Sequence, residues 1–492
     1  MKNNPFDFIE IHKQKPLQKE IKFTKSQTDA VNGLLDFLNS EYNNKKFIYG
    51  LIGAGGVGKT FVIKYIIERC NYATSVIRCT APTHKACRVF EQALDNNSLK
   101  TYTIQSIFGF RLNTKIEDFD PNNPAFSPVS SPKLDNIKVL IIDEASMLNA
   151  NLVNYIIKIC SNLNIKILFI GDDFQLAPVK ENKSTAFTKC TIVYELTEIV
   201  RQNYTNPINN ILQLLRQDIK HHTHKTIDFI SKNINSDVYN EIGEGYSIIG
   251  ANGFKHYIAQ KFNDKDYTKN INLYKIIAYT NNAVNRYNFF IRNEIIKDAE
   301  KNIITKNDLL MSYETIVDEF NSPIISNSEE YIVKDLVNYT DVKYGFKGFL
   351  IKFQLVNGGT ITKPLFILDH KDAFTIQMYV KEIEQLLNSA KTANMANRSR
   401  KWSEYFAFKS KYLLATNIKR GTQIIYQRDI DYAFALTSHK SQGSTYENVF
   451  IDLNDMLYDS YGKLYNNYDD ILRRIYVACS RAKKQLIICY GH

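Results

Sequence analysis

The chain has 492 residues, 44% hydrophobic and 23% charged, a balance that excludes a largely disordered polypeptide. At about 150 residues per domain, that length suggests roughly three domains. Lys plus Arg number 62 against 51 Asp plus Glu, and the net charge of +11 favours a polyanionic partner, although an AT-rich coding bias toward Lys, Asn, Ile and Tyr would also produce it. The seven cysteines are odd in number and contain no C-x-x-C pair, which argues against a secreted disulfide framework and a zinc ribbon. Met1–Lys15 lacks a signal-peptide core, and runs such as Val139–Ile142 and Ile167–Ile170 are too short to cross a bilayer. The expectation is a reducing, cytoplasm-like location with no membrane partner. The cluster His221, His222 and His224 has no ligand-type neighbour at metal spacing and reads as a solvated loop.

In chain order, residues 47–52 read as a strand ending in a Gly-rich turn, and Lys59–Cys70 as a helix. Ser75–Thr80, Val139–Asp143 and Lys166–Gly171 are further apolar strands, with helical stretches such as Asn151–Cys160 between them. Nearly continuous apolar strands alternating with helices predict a parallel sheet covered on both faces. Between Phe108 and Asn136 the pattern breaks at Pro121, Pro124, Pro128 and Pro132, which reads as an insertion. A second α/β pattern follows Tyr194, with strands at Ile276–Thr280, Ala433–Thr437, Val449–Leu453 and Leu486–Tyr490. It is interrupted by β-like segments at Tyr331–Val337, Phe349–Val356 and Thr360–Phe366, then by a polar helical stretch from Asp372 to Leu414.

Gly53-Ala54-Gly55-Gly56-Val57-Gly58-Lys59-Thr60 matches the phosphate-loop pattern at every defined position, with the strand before it and the helix after it that the pattern needs. Its glycines let successive N–H groups point at an anion, Lys59 reaches the terminal phosphates of ATP, and the Thr60 hydroxyl is a Mg²⁺ ligand. Val139–Ile142 runs into Asp143 and Glu144. Asp143 is placed to hold the metal through water and Glu144 to deprotonate the attacking water.

Other motifs stand in order around these: Phe23–Gln27, Ala81–Ala86, Thr103–Ser106, Asp143–Ser146, Gly171–Val179, Glu195–Gln202, Thr437–Thr445 and Tyr476–Ala482. The set resembles superfamily 1 helicases, and within them the RecD-like and phage Dda-like branch, superfamily 1B. The resemblance implies an α/β fold of two RecA-like P-loop NTPase domains. The first would span 1–107 and 137–193, and the second 194–329 and 426–492. A pin subdomain would occupy 108–136, and an SH3-like accessory domain with a helical extension 330–425. It further implies that Gln27 reads adenine, Gln175 senses the γ-phosphate, Arg201 and Arg481 reach that phosphate from the second domain, and Gly443 lies near the nucleotide. Thr445 stands where many members carry Glu, and Glu447 is not placed in the site.

For nucleic acid, the resemblance points to Pro82, Thr83, His84, Gln105 and Ser106 in the first domain. In the second it points to Thr280, Asn281, Thr437, His439 and Lys440. Phe126, bracketed by Pro124 and Pro128, is the candidate pin tip, with Phe119 as the alternative. Trp402 reads as packing, and Lys391, Arg398, Arg400 and Lys401 as either a DNA-facing or a solvated basic face. The expected function is an ATP-dependent, Mg²⁺-requiring DNA helicase. It would move 5′ to 3′ on single strands as a monomer, in replication or recombination of a phage or similar element. Single-stranded DNA, strand junctions and single-strand-binding or replisome proteins would be its partners. An RNA-directed helicase and a nucleotide-gated DNA-binding scaffold remain alternatives.

Overall fold

Val-, Ile- and Leu-rich runs with no polar face can be satisfied only inside a sheet covered on both sides, and they become the parallel strands of two lobes. A computed structural model describes residues 22–111, 119–123, 126–178, 181, 184–198, 205–297, 299–318, 322–356 and 358–491. The first lobe runs α1 (Lys25–Asn39), β1 (Ile48–Gly53), α2 (Lys59–Arg69), β2 (Ile77–Ala81), α3 (His84–Leu94), β3 (Thr101–Thr103), α4 (Ile104–Ile107), β4 (Val139–Ile142), α5 (Ala150–Asn162), β5 (Lys166–Gly171), α6 (Thr185–Thr188) and β6 (Ile192–Leu196). The strands lie in the order β3-β2-β4-β5-β1-β6, and every described pair is parallel. One hydrophobic cluster covers each face. The carboxyl ends of β1, β5 and β4 are therefore neighbours, which is where open parallel sheets bind ligands.

The second lobe begins with α7 (Ile208–His221), α8 (Lys225–Lys232), β7 (Ser236–Tyr239), β8 (Gly245–Ile249), α9 (Ala251–Phe262), α10 (Lys265–Lys269), β9 (Tyr274–Ala278) and α11 (Asn281–Ile295). The chain then leaves for an inserted unit of β10 (Leu309–Ser312), β11 (Ile316–Val317), β12 (Pro323–Ile325), β13 (Glu330–Thr340), β14 (Lys347–Leu355), β15 (Leu365–Leu368), α12 (Ala373–Thr392), α13 (Met395–Lys411), β16 (Tyr412–Leu413), β17 (Ile418–Arg420), β18 (Gln423–Tyr426) and β19 (Ile430–Tyr432). It returns for β20 (Ala435–Thr437), β21 (Tyr446–Asp452), α14 (Leu453–Leu457), α15 (Tyr468–Cys479) and β22 (Ala482–Cys489). The second-lobe sheet is β20-β9-β21-β22-β8-β7, parallel except for β7. The inserted sheet, β16-β15-β14-β13-β10-β19, is antiparallel except at β15–β16.

The structure moves several expected boundaries. β6 pairs with β1, so the first lobe extends beyond 193. The inserted sheet starts at Leu309 and ends at Tyr432, because β10 pairs with both β13 and β19. Short strands paired across more than a hundred residues leave no local trace in a sequence. Thr74–Val76 is a 3₁₀ turn before β2, and the strand expected from Thr360 begins only at Leu365. The helical extension is two helices, the second capped by Asn394, whose side chain accepts from the Asn397 N–H at 3.1 Å. The described parts of 108–136 do not stand apart. Phe108, Phe110, Phe119 and Leu134 are buried with Leu140, Leu152 and Phe169 in the first-lobe core.

Glu330, at the start of β13, joins all three units. Its carboxylate accepts from Lys275 of β9 at 2.6 Å, from Lys85 of α3 at 3.0 Å and from the Tyr446 hydroxyl of β21 at 2.7 Å. Beside it Glu329 pairs with Arg88. Burial works against the Glu330 charge, but Lys275 and then Lys85 hold its carboxyl at about 2. A carboxyl held below its ordinary value stabilises the fold above that value and ceases to do so as it protonates. This contribution should therefore be complete above pH ~4.5 and disappear as pH falls toward ~2. Glu330→Gln would leave Lys275, which is fully buried, without its counter-charge. Urea unfolding at pH 7 should show a loss of about 3–5 kcal/mol, and the difference from the unaltered protein should shrink below pH ~4.

Candidate functional site

The phosphate loop turns because Gly56 and Gly58 sit at φ of 86° and 88°, where a side chain is strained. At Gly58 a Cβ would also come within 2.7 Å of Gln27 Nε2. Gly58 caps α2, so the first helical N–H groups face out of the loop, and Lys59 folds over it with Nζ 2.6 Å from the Gly53 carbonyl and 2.9 Å from that of Ala54. Ala54 and Val57 pack into the first-lobe core and hold the loop from below. Gln27 lies against the loop. It is buried, its Nε2 donates to the Val57 carbonyl at 3.0 Å, and its Oε1 accepts from the Thr24 N–H at 3.1 Å. Thr24 reciprocates through Oγ1, completing a capping box on α1. This geometry makes Gln27 a brace between α1 and the phosphate loop.

Gly55, Gly56, Gly58, Lys59 and Thr60 line a cleft of about 550 Å³. Asp143, Glu144 and Gln175 join them from the ends of β4 and β5. From the second lobe come Gly443 and Arg481, so the two lobes share one cleft. The Arg481 guanidinium is held by neutral oxygens, the Val477 and Ser444 carbonyls at 3.0 Å and Ser480 Oγ at 2.8 Å. Arg201, the other expected arginine finger, lies outside the described residues. Burial and then the neighbouring Glu144 push the Asp143 carboxyl up to about 7, against the Glu144 N–H and the Lys59 ammonium. Glu144 Oε2 and Gln175 Oε1 are buried with no hydrogen-bond partner among the described residues. Buried acceptors of this kind are satisfied by water or by a bound group. The hydroxyl of Thr60 and the carboxylate of Asp143 are the hard oxygen donors that Mg²⁺ takes. Glu447 is turned away and pairs with Lys484 at 2.8 Å.

The expected nucleic-acid residues fall at carboxyl ends of adjacent strands. β2 and β3, which pair, lead into Pro82, Thr83 and His84 and into Gln105 and Ser106. β9 and β20, which also pair, lead into Thr280 and Asn281 and into Thr437, His439 and Lys440. The threonines work locally as caps. Thr83 Oγ1 accepts from the Ala86 N–H at 3.1 Å and Thr437 Oγ1 from that of Lys440 at 3.2 Å. Thr280 is fully engaged, accepting from the Ala283 N–H at 3.1 Å and donating to Asp455 at 2.6 Å, so Asn281 is the exposed member of that pair. Burial, with Arg88 alongside, pushes the His84 imidazole below its ordinary value. Phe126 is half-buried with its ring centroid 5.6 Å from that of Phe119, which is itself buried, so the two rings pack into an aromatic cluster with Phe110 and Tyr155 where a projecting tip was expected. Pro124, one of its expected brackets, lies outside the described residues.

Three groups of residues were given no role by the sequence. Lys85 and Glu330 line the nucleotide cleft. Tyr313 and Arg428, from the inserted unit, lie against the second lobe, with Lys440 Nζ 4.9 Å from the Tyr313 ring and Arg428 beside Asn285. Arg473 and Tyr476 of α15 reach the Gln175 loop across the lobe boundary. Only the last had a signal, since three-residue spacing on a helix puts both on one face.

Residues 24–233 match the AAA domain family, and residues 432–489 match the UvrD-like helicase C-terminal domain. An uncharacterized protein, R530, of Acanthamoeba polyphaga mimivirus is 26% identical, over 94% of this chain and 98% of that protein. The RecBCD enzyme subunit RecD of Buchnera aphidicola subsp. Schizaphis graminum is 23% identical, over 95% of this chain and 77% of its own length. The structure of Pif1 helicase from Bacteroides in complex with ADP-AlF3 and single-stranded DNA superposes with a TM-score of 0.52 at 16% identity, covering 96% of this chain and 93% of that one, which shows a shared fold. The two matched families in this order, the RecD relative, the paired parallel-sheet lobes and the cleft they share make the chain similar to the helicases of superfamily 1B.

Proposed function

We propose that this chain is an ATP-dependent DNA helicase that moves 5′ to 3′ along a single strand and opens the duplex ahead of it, in replication or recombination. The observation that carries the reading is the single cleft lined by Lys59, Glu144 and Gln175 of one lobe and by Arg481 of the other. Lys59 and the loop N–H groups would hold the β and γ phosphates of ATP. Glu144 accepts the proton of the attacking water, and Arg481 meets the charge that develops on the transferred phosphoryl group. Thr60 and Asp143 would hold Mg²⁺, which when bound neutralises phosphate charge. A site divided between lobes is complete only when they close, so nucleotide state and lobe spacing are linked. The two grips at Thr83–His84 and Asn281–Lys440 belong to different lobes. A change in spacing then shifts one grip relative to the other along a strand held by phosphate and base contacts. The direction rests on the branch of the superfamily. The relatives named as RecD and Pif1 helicase support DNA over RNA.

Lys59→Ala should abolish ATP turnover stimulated by single-stranded DNA. Arg481→Ala should lower kcat by about 10³-fold with a much smaller change in ATP affinity; equal losses in both would remove the finger role. Glu144→Gln should bind ATP and DNA without turnover, whereas a scaffold would keep its biological activity. Duplexes with a 5′ single-stranded tail should be unwound and those with a 3′ tail left intact. Stimulation by RNA strands in place of DNA would instead mark an RNA-directed motor.

A further inference from the structure

The Gln175 loop belongs to the first lobe by sequence, yet the second lobe holds it. Phe174 packs against the second-lobe core with its ring 6.2 Å from that of Tyr476. The Tyr476 hydroxyl donates to Asp172 Oδ2 at 2.9 Å. Arg473 Nη1 donates to the Gln175 carbonyl at 3.1 Å and also to that of Asp173. Asp172 turns the loop, accepting from the Phe174 N–H at 3.1 Å through Oδ1 and from the Gln175 N–H at 3.2 Å through its carbonyl. Every residue from Asp172 to Gln175 therefore has an anchor on α15 or on the core behind it. The Gln175 side chain is left pointing into the cleft, its Oε1 without a partner among the described residues.

The same helix delivers Arg481, which follows its C-cap Ser480 and bonds back to the Val477 carbonyl at 3.0 Å. We propose that Arg473 and Tyr476 are positioning residues for hydrolysis: from the second lobe they set the backbone of Gln175, so that one rigid helix brings both Gln175 and Arg481 to the reacting phosphate. Helix α15 moves as a unit, so separation of the lobes that withdraws Arg481 also releases Arg473 and Tyr476 from the loop. Hydrolysis is thereby tied to full docking and does not follow from nucleotide binding alone. This inference rests on the motor reading above and adds to it a residue pair that need not touch nucleotide.

The test is a double-mutant cycle on ATP hydrolysis at saturating single-stranded DNA, with kcat and KM measured separately. Arg473→Ala should lower kcat by about tenfold or more with KM for ATP changed by less than about threefold, and Arg473→Lys should recover part of the loss. In a Gln175→Ala background the same substitution should cost less than about twofold, because its route of action is already gone. Tyr476→Phe keeps the ring and its packing and removes only the bond to Asp172, so it should give a smaller kcat loss with an unchanged melting temperature even if Arg473→Ala folds poorly. Losses that multiply in the double mutant, a pure KM effect, or Gln175→Ala without consequence would overturn the inference while leaving the motor intact. An unaltered protein that does not hydrolyse ATP would overturn both.

Discussion

Two cations from separately folded lobes, Lys59 and Arg481, face one cleft, and much of the structure follows from that placement. Like charges repel, and they do so more strongly where water is scarce. A polyanion in the cleft would turn that repulsion into attraction from both lobes. The neutral oxygens around Arg481 direct the guanidinium without cancelling its charge. The carboxylates nearest the phosphate loop sit at the ends of β4, where burial already makes the Asp143 charge costly.

Buried polar contacts also cross directly between the lobes. Glu330 binds cations from the first and second lobes at once, and the Asp172–Gln175 turn is seated on α15. Such contacts differ from an apolar interface in one useful respect. Desolvated ions and carbonyls tolerate few arrangements, which restricts sliding at such an interface. The two sets of contacts both border the nucleotide cleft, which places the joints of the machine beside its fuel.

The accessory unit shows a related economy. Its sheet is inserted between two strands that pair in the second lobe, β9 and β20, and its first long strand begins with the residues that bind α3. The inserted unit is therefore ion-paired to the helix capped by Thr83. Tyr313 and Arg428 extend that contact to the loop carrying Lys440.

Much of this was legible in residues alone. The phosphate loop, Asp143-Glu144 and the buried strands around them carry their meaning locally, since a Gly-rich turn, a strand end and a helix start are short-range objects. So were the second-lobe strands and the helical extension, read from apolar runs and helical spacing. The bracing of Gln27, the packing of Phe126 on Phe119, the three-way meeting at Glu330 and the grip of Arg473 on the Gln175 loop were not. Most depend on groups far apart in the chain, and a lone Glu, Arg or Phe looks the same in sequence whether it faces solvent or closes an interface. Sequence by itself determined which chemistry is present and on which strands it sits. Tertiary structure alone decided which charges share a cleft and which polar atoms keep it in register, because those are properties of distance and burial that no local pattern encodes.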